Sequence, residues 1–333
     1  MSTLLLPLLA LVAGFILLSL SADRLIAAAS TFAQRSGVSM VFIGMTVVAF
    51  GTSAPELLVS AVAAANGAEG LAVGNGLGSN IINIGLVLGV CALITPLAVN
   101  RRFLVREFPL LVAAMLLSWG LMSNGSLAGW DGAILLGALL LYCAYLARSV
   151  KQGESDPEAL ELLSISRRRA GVESLVMLLV LLGASQMMVW GAVELARAMG
   201  ISELVIGLTV IAFGTSLPEL AAAVAGVRRG MHDIAFATVI GSNIFNLLGV
   251  LAFPALLGDG LQLPKEVLSR DLPMMALLTL VVAVAFLWAR WGRGGSRASS
   301  VGVHNYPMSR LGGGVLLIVF STYLWQLGGA MSG

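Results

Sequence analysis

The sequence is poor in the side chains that most buried chemistry relies on. Of 333 residues, two are histidine and two are cysteine. Cys91 and Cys143 stand singly in apolar runs, with no CxxC pair or metal-ligand spacing, so packing is their expected role. His232 and His304 both fall in expected loops, which leaves no histidine for a buried dyad or metal cage, and no lysine lies within an apolar run. An intramembrane hydrolase using Ser53 or Ser216 as nucleophile would therefore lack a base. Charge is scarce as well. Charged residues make up 11% of the chain, against about 25% in soluble domains. The net charge is only +2 and the basic residues lie in loops, so no nucleic-acid surface is expected.

Apolar residues fill the space: 58% of the chain is hydrophobic. Most apolar runs have the length of a helix crossing a hydrocarbon core roughly 30 Å thick, not the weaker alternation of barrel strands. The expectation is an all-α integral membrane protein embedded in the lipid bilayer. Ten spans are predicted, at 4–22, 38–65, 71–94, 104–123, 128–148, 172–193, 201–226, 234–257, 272–291 and 312–330. Ser19-Leu20-Ser21 faintly resembles a cleavage site, but no basic residue precedes the first run and Arg24 and Arg35 follow it. Residues 4–22 are therefore expected to be retained as a helix.

Ten spans leave nine loops. Sixteen of the nineteen Lys and Arg residues fall in odd-numbered loops and only Arg197, Lys265 and Arg270 in even-numbered ones. By the positive-inside rule the odd loops are cytoplasmic and both termini lie outside. The longest polar stretch, 149–170, is then a cytoplasmic linker. Its acidic patch and the Arg167–Arg169 run suit a solvated segment. It separates a first five-helix repeat, 1–148, from a second, 171–333.

The two halves carry the same text. An offset of 163 aligns "GVSMVFIGMTVVAFGTSAPEL" (37–57) with "GISELVIGLTVIAFGTSLPEL" (200–220), identical at 14 of 21 positions, and "GSNIINI" (78–84) with "GSNIFNL" (241–247). Since each half has an odd number of spans, the second must enter from the opposite side. Inverted repeats of this kind belong to secondary transporters, whose substrate sites lie near the midplane between the halves. Glu56 and Glu219 are expected to face one another there.

The motifs offer oxygen. Pro55 and Pro218 have no N–H, so the carbonyls of Gly51 and Gly214 lose their helical partners, and discontinuous helices are expected at a central ion site. In lipid such carbonyls must be buried in protein or offered to a cavity or an ion. Thr52, Ser53, Thr215 and Ser216 add hydroxyls. Ser79 and Asn83, like Ser242 and Asn246, are four residues apart and share a helix face. Asn80 and Asn243 point away from those pairs, and are candidates equally for helix-to-helix hydrogen bonding and for ligation. Asp23, beside Arg24 at a span end, is expected to be an interfacial charge. An all-oxygen set favours sodium, calcium or protons over zinc, copper or iron, and two carboxylates balance one divalent ion. An ionisable group within a span is a functional candidate by default.

The paired "GTSAPEL"/"GTSLPEL" and "GSNIINI"/"GSNIFNL" motifs in two five-helix halves resemble the calcium/cation antiporter superfamily, specifically its prokaryotic sodium/calcium exchangers. The resemblance spans nearly the whole chain in layout. It implies a cell inner (plasma) membrane antiporter that exchanges sodium for calcium by alternating access and has no cofactor beyond its transported ions. It assigns calcium or sodium binding to Glu56 and Glu219. Further oxygens would come from Thr52, Ser53, Thr215 and Ser216 and from the carbonyls of Ala49 and Ala212, with Ser79, Asn83, Ser242 and Asn246 completing the sodium sites. The first and sixth helices would be long and tilted, and would slide as a pair past the other eight. Some relatives carry an aspartate where Asn246 stands. With asparagine at 83 and 246 only two acids remain, which argues against potassium dependence and for electrogenic exchange. Calcium/proton antiport on the same glutamates is the alternative. A passive channel would predict uncoupled flux, against which the inverted repeat argues. Because the ligands come from one chain, a functional monomer is expected.

Overall fold

The computed structural model describes residues 2–67, 69–149, 163–200, 212–257, 261–291 and 305–332. Helices dominate. Among the described residues eight are long and apolar enough to cross a membrane, and a bent pair makes a ninth. In chain order they are α1 (Ser2–Ser36), the bent pair α2 (Met40–Thr52) and α3 (Ala54–Ala65), α4 (Gly70–Ile94), α5 (Arg101–Met122), α6 (Gly129–Ser149) and α7 (Arg167–Ala198). After these come α8 (Ala212–Thr215), α9 (Leu217–Arg228), α10 (His232–Leu257), α11 (Leu272–Trp291) and α12 (Arg310–Ser332). The first part of the span expected at 201–226 lies outside the described residues, as do His304 and most of the linker expected at 149–170; α8 and α9 are the rest of that span.

Two spans are longer than the hydrophobic runs foretold. α1 has 35 residues and α7 has 32, so at 1.5 Å per residue each reaches roughly 50 Å, well beyond the hydrocarbon core. Arg24 and Arg35, expected in a loop, lie on α1. Polar residues along it find partners: Arg24 is paired with Glu173 of α7, and Asp23 with Arg229 beyond α9. Asp23, expected to be an interfacial charge, takes its partner from another segment of the chain. α1 and α7 lie against each other, Gly14 beside Ala184 and Met188, and Gly191 beside the carbonyl of Pro7. This near-antiparallel contact needs glycine, since a Cβ on Gly191 would sit 2.7 Å from that carbonyl oxygen.

α10 is the most enclosed helix. Every residue from Ile234 to Leu251 is buried, and α2, α4, α5 and α9 pack around it. Phe236 stacks edge-on against Phe103 of α5 and Phe286 of α11. The outer helices present Leu, Val and Phe side chains outward, with Trp130, Trp288 and Trp325 also exposed, as suits a lipid-facing surface.

Two short ribbons depart from an all-α fold. β1 (Leu97–Asn100) pairs antiparallel with β4 (Asn305–Met308), and β2 (Ser126–Leu127) with β3 (Leu261–Gln262). Each joins a loop of one half to a loop of the other, which no local hydropathy pattern could announce.

Candidate cation site

Both "GTSxPE" motifs break a helix at their serine. α2 ends at Thr52, Ser53 sits at φ −80°, ψ 0°, and α3 begins at Ala54, with an angle of 41° between the pair. Ser216 repeats this at φ −90°, ψ 2° between α8 and α9. Pro55 and Pro218 occupy the first turn of the following helix, where a missing N–H costs nothing. Glu56 and Glu219 consequently lie in the first turn of α3 and α9, where the helix dipole favours a carboxylate. Both are fully buried.

The "GSNxxN" motifs bring a feature that spacing did not disclose. Asn83–Val87 and Asn246–Val250 are π-helical, as is Gly44–Val48 in α2. The first two are related by the 163-residue offset and begin on the candidate ligands Asn83 and Asn246. Glycine then lets α10 close on α2: a Cβ on Gly241 would lie 2.8 Å from Ala49 Cβ and 3.0 Å from Met45 Cα.

Hydrogen bonds join the two halves through these motifs. Ser53 donates to Glu219 Oε1 at 3.4 Å, and Thr52 and Ser242 hydroxyls are 3.5 Å apart. Ser242 has Ala49 O at 3.3 Å and Glu219 Oε1 at 3.5 Å as acceptors. The Ala49 carbonyl also takes the Ser53 N–H at 3.0 Å and the Thr52 hydroxyl at 3.3 Å. Thr215 is buried beside Ser216, and Ala212 opens α8. The structure thus brings Thr52, Ser53, Glu219, Ser242 and Ala49 together directly. Glu56 has Ser216 of the other half and Ser79 as neighbours.

Other oxygens in this cluster are buried without a hydrogen-bond partner: both carboxylate oxygens of Glu56, Glu219 Oε2, the hydroxyls of Ser79 and Ser216, and the amide oxygens of Asn80, Asn83 and Asn246. Each such group costs about 1–3 kcal/mol if left so. A concentration of acceptors with few donors suits a hard cation. Among the described residues no cluster holds three or more His, Cys, Asp or Glu side chains, so two carboxylates carry the negative charge.

Three details resolve or correct the sequence reading. Gly214 O, freed by Pro218, is buried in protein, where Ser185 of α7 donates to it at 2.8 Å. Asn243 and Asn80 take the first of the two roles left open for them, helix-to-helix hydrogen bonding: Asn243 Oδ1 accepts from Asn83 Nδ2 at 3.1 Å, and Asn80 donates to the Asn243 carbonyl at 3.3 Å. His232 opens α10 and is not in a loop. Ser242 is ten residues further along, about 15 Å, so the histidine remains remote from the serines.

Some polar residues escaped notice. Asn75 donates to the Glu56 carbonyl at 3.1 Å and Ser60 to Val250 O at 2.8 Å. Thr238 is fully buried with its hydroxyl unpartnered. Asn75 and Thr238 each precede a motif serine by four residues and are related by the same offset, a signal the sequence did contain. Away from this cluster, a cleft of about 670 Å³ between α1 and α9 is lined by Ser19, Leu20, Asp23, Val224 and Arg228. At its rim Arg229 makes a two-pronged pair with Asp23, Nε to Oδ1 at 2.7 Å and Nη2 to Oδ2 at 2.5 Å.

Comparison with known proteins agrees in both sequence and shape. The family model for the sodium/calcium exchanger protein matches residues 6–148 and 172–328. The inner membrane protein YrbG of Escherichia coli (strain K12) is 41% identical over 288 residues, covering 84% of this chain and 88% of YrbG. The sodium/calcium exchanger MaX1 of Methanosarcina acetivorans is 30% identical over 324 residues, covering 84% of this chain and 91% of MaX1. Among solved structures, the sodium-calcium exchanger NCX_Mj soaked with 10 mM Na+ and zero Ca2+ superposes with a TM-score of 0.78 at 30% identity, covering 97% of this chain and 99% of that one.

Proposed function

The chain belongs to the sodium/calcium exchanger family, and on that premise we propose that this multi-pass membrane protein is a cation/calcium antiporter that exchanges sodium for calcium by alternating access. The observation that carries the reading is the buried set of unpartnered oxygens around Glu56 and Glu219, at matched helix breaks in the two halves. Glu56 and Glu219 supply two negative charges to one calcium ion. Thr52, Ser53, Thr215, Ser216 and the carbonyls of Ala49 and Ala212 complete its shell, and Ser79, Asn83, Ser242 and Asn246 extend the cage to sodium. Calcium and sodium occupy the cage in turn, because two sets of charges cannot share it.

Ten spans in two inverted halves, 1–148 and 171–333, place the cage near the midplane of the inner membrane, with both termini outside. α1 and α7 move as one unit past the bundle. Their mutual contact is extensive and glycine-lined, while against the bundle α1 buries Leu25, Ile26 and Ala29 in a cluster with Ile43 and Val48 of α2 and Ala222 of α9, with the exposed Asp23–Arg229 pair beside it. All ligands come from one chain, so a monomer suffices.

The test is calcium-45 uptake into proteoliposomes loaded with sodium and diluted into sodium-free buffer, against choline-loaded vesicles under an imposed pH gradient. Uptake that needs internal sodium is the expected result. Uptake that follows the pH gradient without sodium would instead make this a calcium/proton antiporter.

A further inference from the structure

Asn83 is bonded across the interface between the halves, and that bond decides which end of its amide faces the cage. An amide carries an acceptor and a two-hydrogen donor on one carbon, so it can serve a cation only if something holds the donor elsewhere. Asn83 Nδ2 donates to Asn243 Oδ1 at 3.1 Å, both side chains are fully buried, and Asn83 Oδ1 is left without a hydrogen-bond partner. The main chain of Asn243 takes a further bond from Asn80 Nδ2 at 3.3 Å, while Asn243 Nδ2 is without a partner. The other half does not repeat the arrangement. The counterpart of the Asn83–Asn243 bond would run from Asn246 Nδ2 to Asn80 Oδ1, but both of those atoms are without a partner, while Asn80 Nδ2 serves the Asn243 carbonyl and Met275 Sδ at 3.7 Å. Neither amide atom of Asn246 has a partner.

We infer that Asn243 is a positioning residue for cation binding: by accepting the Asn83 N–H it turns the Asn83 oxygen toward the sodium-binding part of the cage, so that the Asn83 side is preorganised and the Asn246 side is not. This rests on the proposed sodium coupling. Its consequence is that the two halves, nearly identical in motif, bind sodium unequally. Freed from Asn243, the Asn83 amide has two orientations, one of which aims N–H groups at the ion.

The test compares wild type, Asn243→Leu, Asn243→Asp, Asn83→Ala and the double variant Asn83→Ala/Asn243→Leu. Two quantities are read: sodium and calcium half-saturation in proteoliposomes, and stabilisation of the purified protein against heating by sodium chloride relative to choline chloride. Losing one buried orienting hydrogen bond should weaken sodium binding roughly three- to tenfold in Asn243→Leu, with a smaller change for calcium. Asn243→Asp keeps the acceptor and should hold sodium at least as well as wild type. In the Asn83→Ala background Asn243→Leu should add nothing. If the wild type depends on sodium but the two substitutions are additive, or if Asn243→Asp weakens sodium as Asn243→Leu does, the positioning role is refuted alone. A wild type driven by protons and not stabilised by sodium would overturn both this role and the sodium coupling. Should Asn243→Leu fail to fold, Asn243→Asp and Asn83→Ala still separate these outcomes.

Discussion

The Asp23–Arg229 pair spans the boundary between α1 and the bundle, so if α1 and α7 slide as proposed, removing it should change the balance between access states. The pair is two-pronged, but the Asp23 side chain is 52% exposed and that of Arg229 25%. Exposed pairs contribute about 0.2–1 kcal/mol, with good bidentate geometry at the upper end. Taking about 1 kcal/mol, Asp23→Asn should shift the ratio of the state seen here to its alternative by roughly fivefold. The repeat offers no compensating charge: the 163-residue offset pairs Asp23 with Gln186 and Arg229 with Asn66. The effect should therefore be one-sided, altering the ratio of calcium half-saturations at the two membrane faces by up to fivefold. It should shrink at high salt. Labelling of Ser19→Cys, which lines the neighbouring cleft, by a membrane-impermeant thiol reagent should slow as this state is depopulated, in a background with Cys91 and Cys143 replaced by serine. Arg229→Gln should reproduce Asp23→Asn, and the double variant should look like either single. Additive effects, or an unchanged ratio in both singles, would refute the reasoning.

Other outcomes follow from the same geometry. Glu56→Gln or Glu219→Gln should fold, as judged by size-exclusion elution, yet lose calcium exchange by at least a hundredfold, since each removes half the charge that balances a divalent ion. Ser185→Ala strips Gly214 O of its donor and should lower stability by about 1–3 kcal/mol, measured by thermal unfolding, with Ser185→Thr recovering part of it. Gly241→Ala must push apart α10 and α2 at Ala49 Cβ and Met45 Cα; about 1–3 kcal/mol of destabilisation and slowed exchange are expected. Potassium should leave calcium uptake unchanged, and a voltage-sensitive dye should report net charge movement with each cycle.

Much of this arrangement could be read from the letters alone, because a bilayer allows few solutions. Apolar runs of fixed length become spans, and proline followed by glutamate inside one of them demands a broken helix and a buried use for the acid. Glu56, Glu219 and the hydroxyls beside them were therefore legible. The runs at 4–22 and 172–193 do not show the lengths of α1 and α7, which only the resemblance implied, and the Arg24–Glu173 and Asp23–Arg229 pairs between distant segments were not legible. Nor was the choice made by Gly214 O, whose partner Ser185 lies 29 residues away on another helix. For Asn243 the sequence left helix-to-helix bonding and ligation both open. A π turn begins three residues later, and it is the partner helix that decides what an amide touches.

Those π turns act like dislocations in a one-dimensional lattice. Each inserts one residue beyond the α-helical count, and the row of side chains below it is thrown out of phase with the row above. In α4 and α10 the slip falls on Asn83 and Asn246. Packing against neighbours on one flank therefore places no angular demand on the other. A single-residue deletion inside 84–87 or 247–250 would anneal the defect and leave both flanks seated, while turning the ligand-bearing stretch alone.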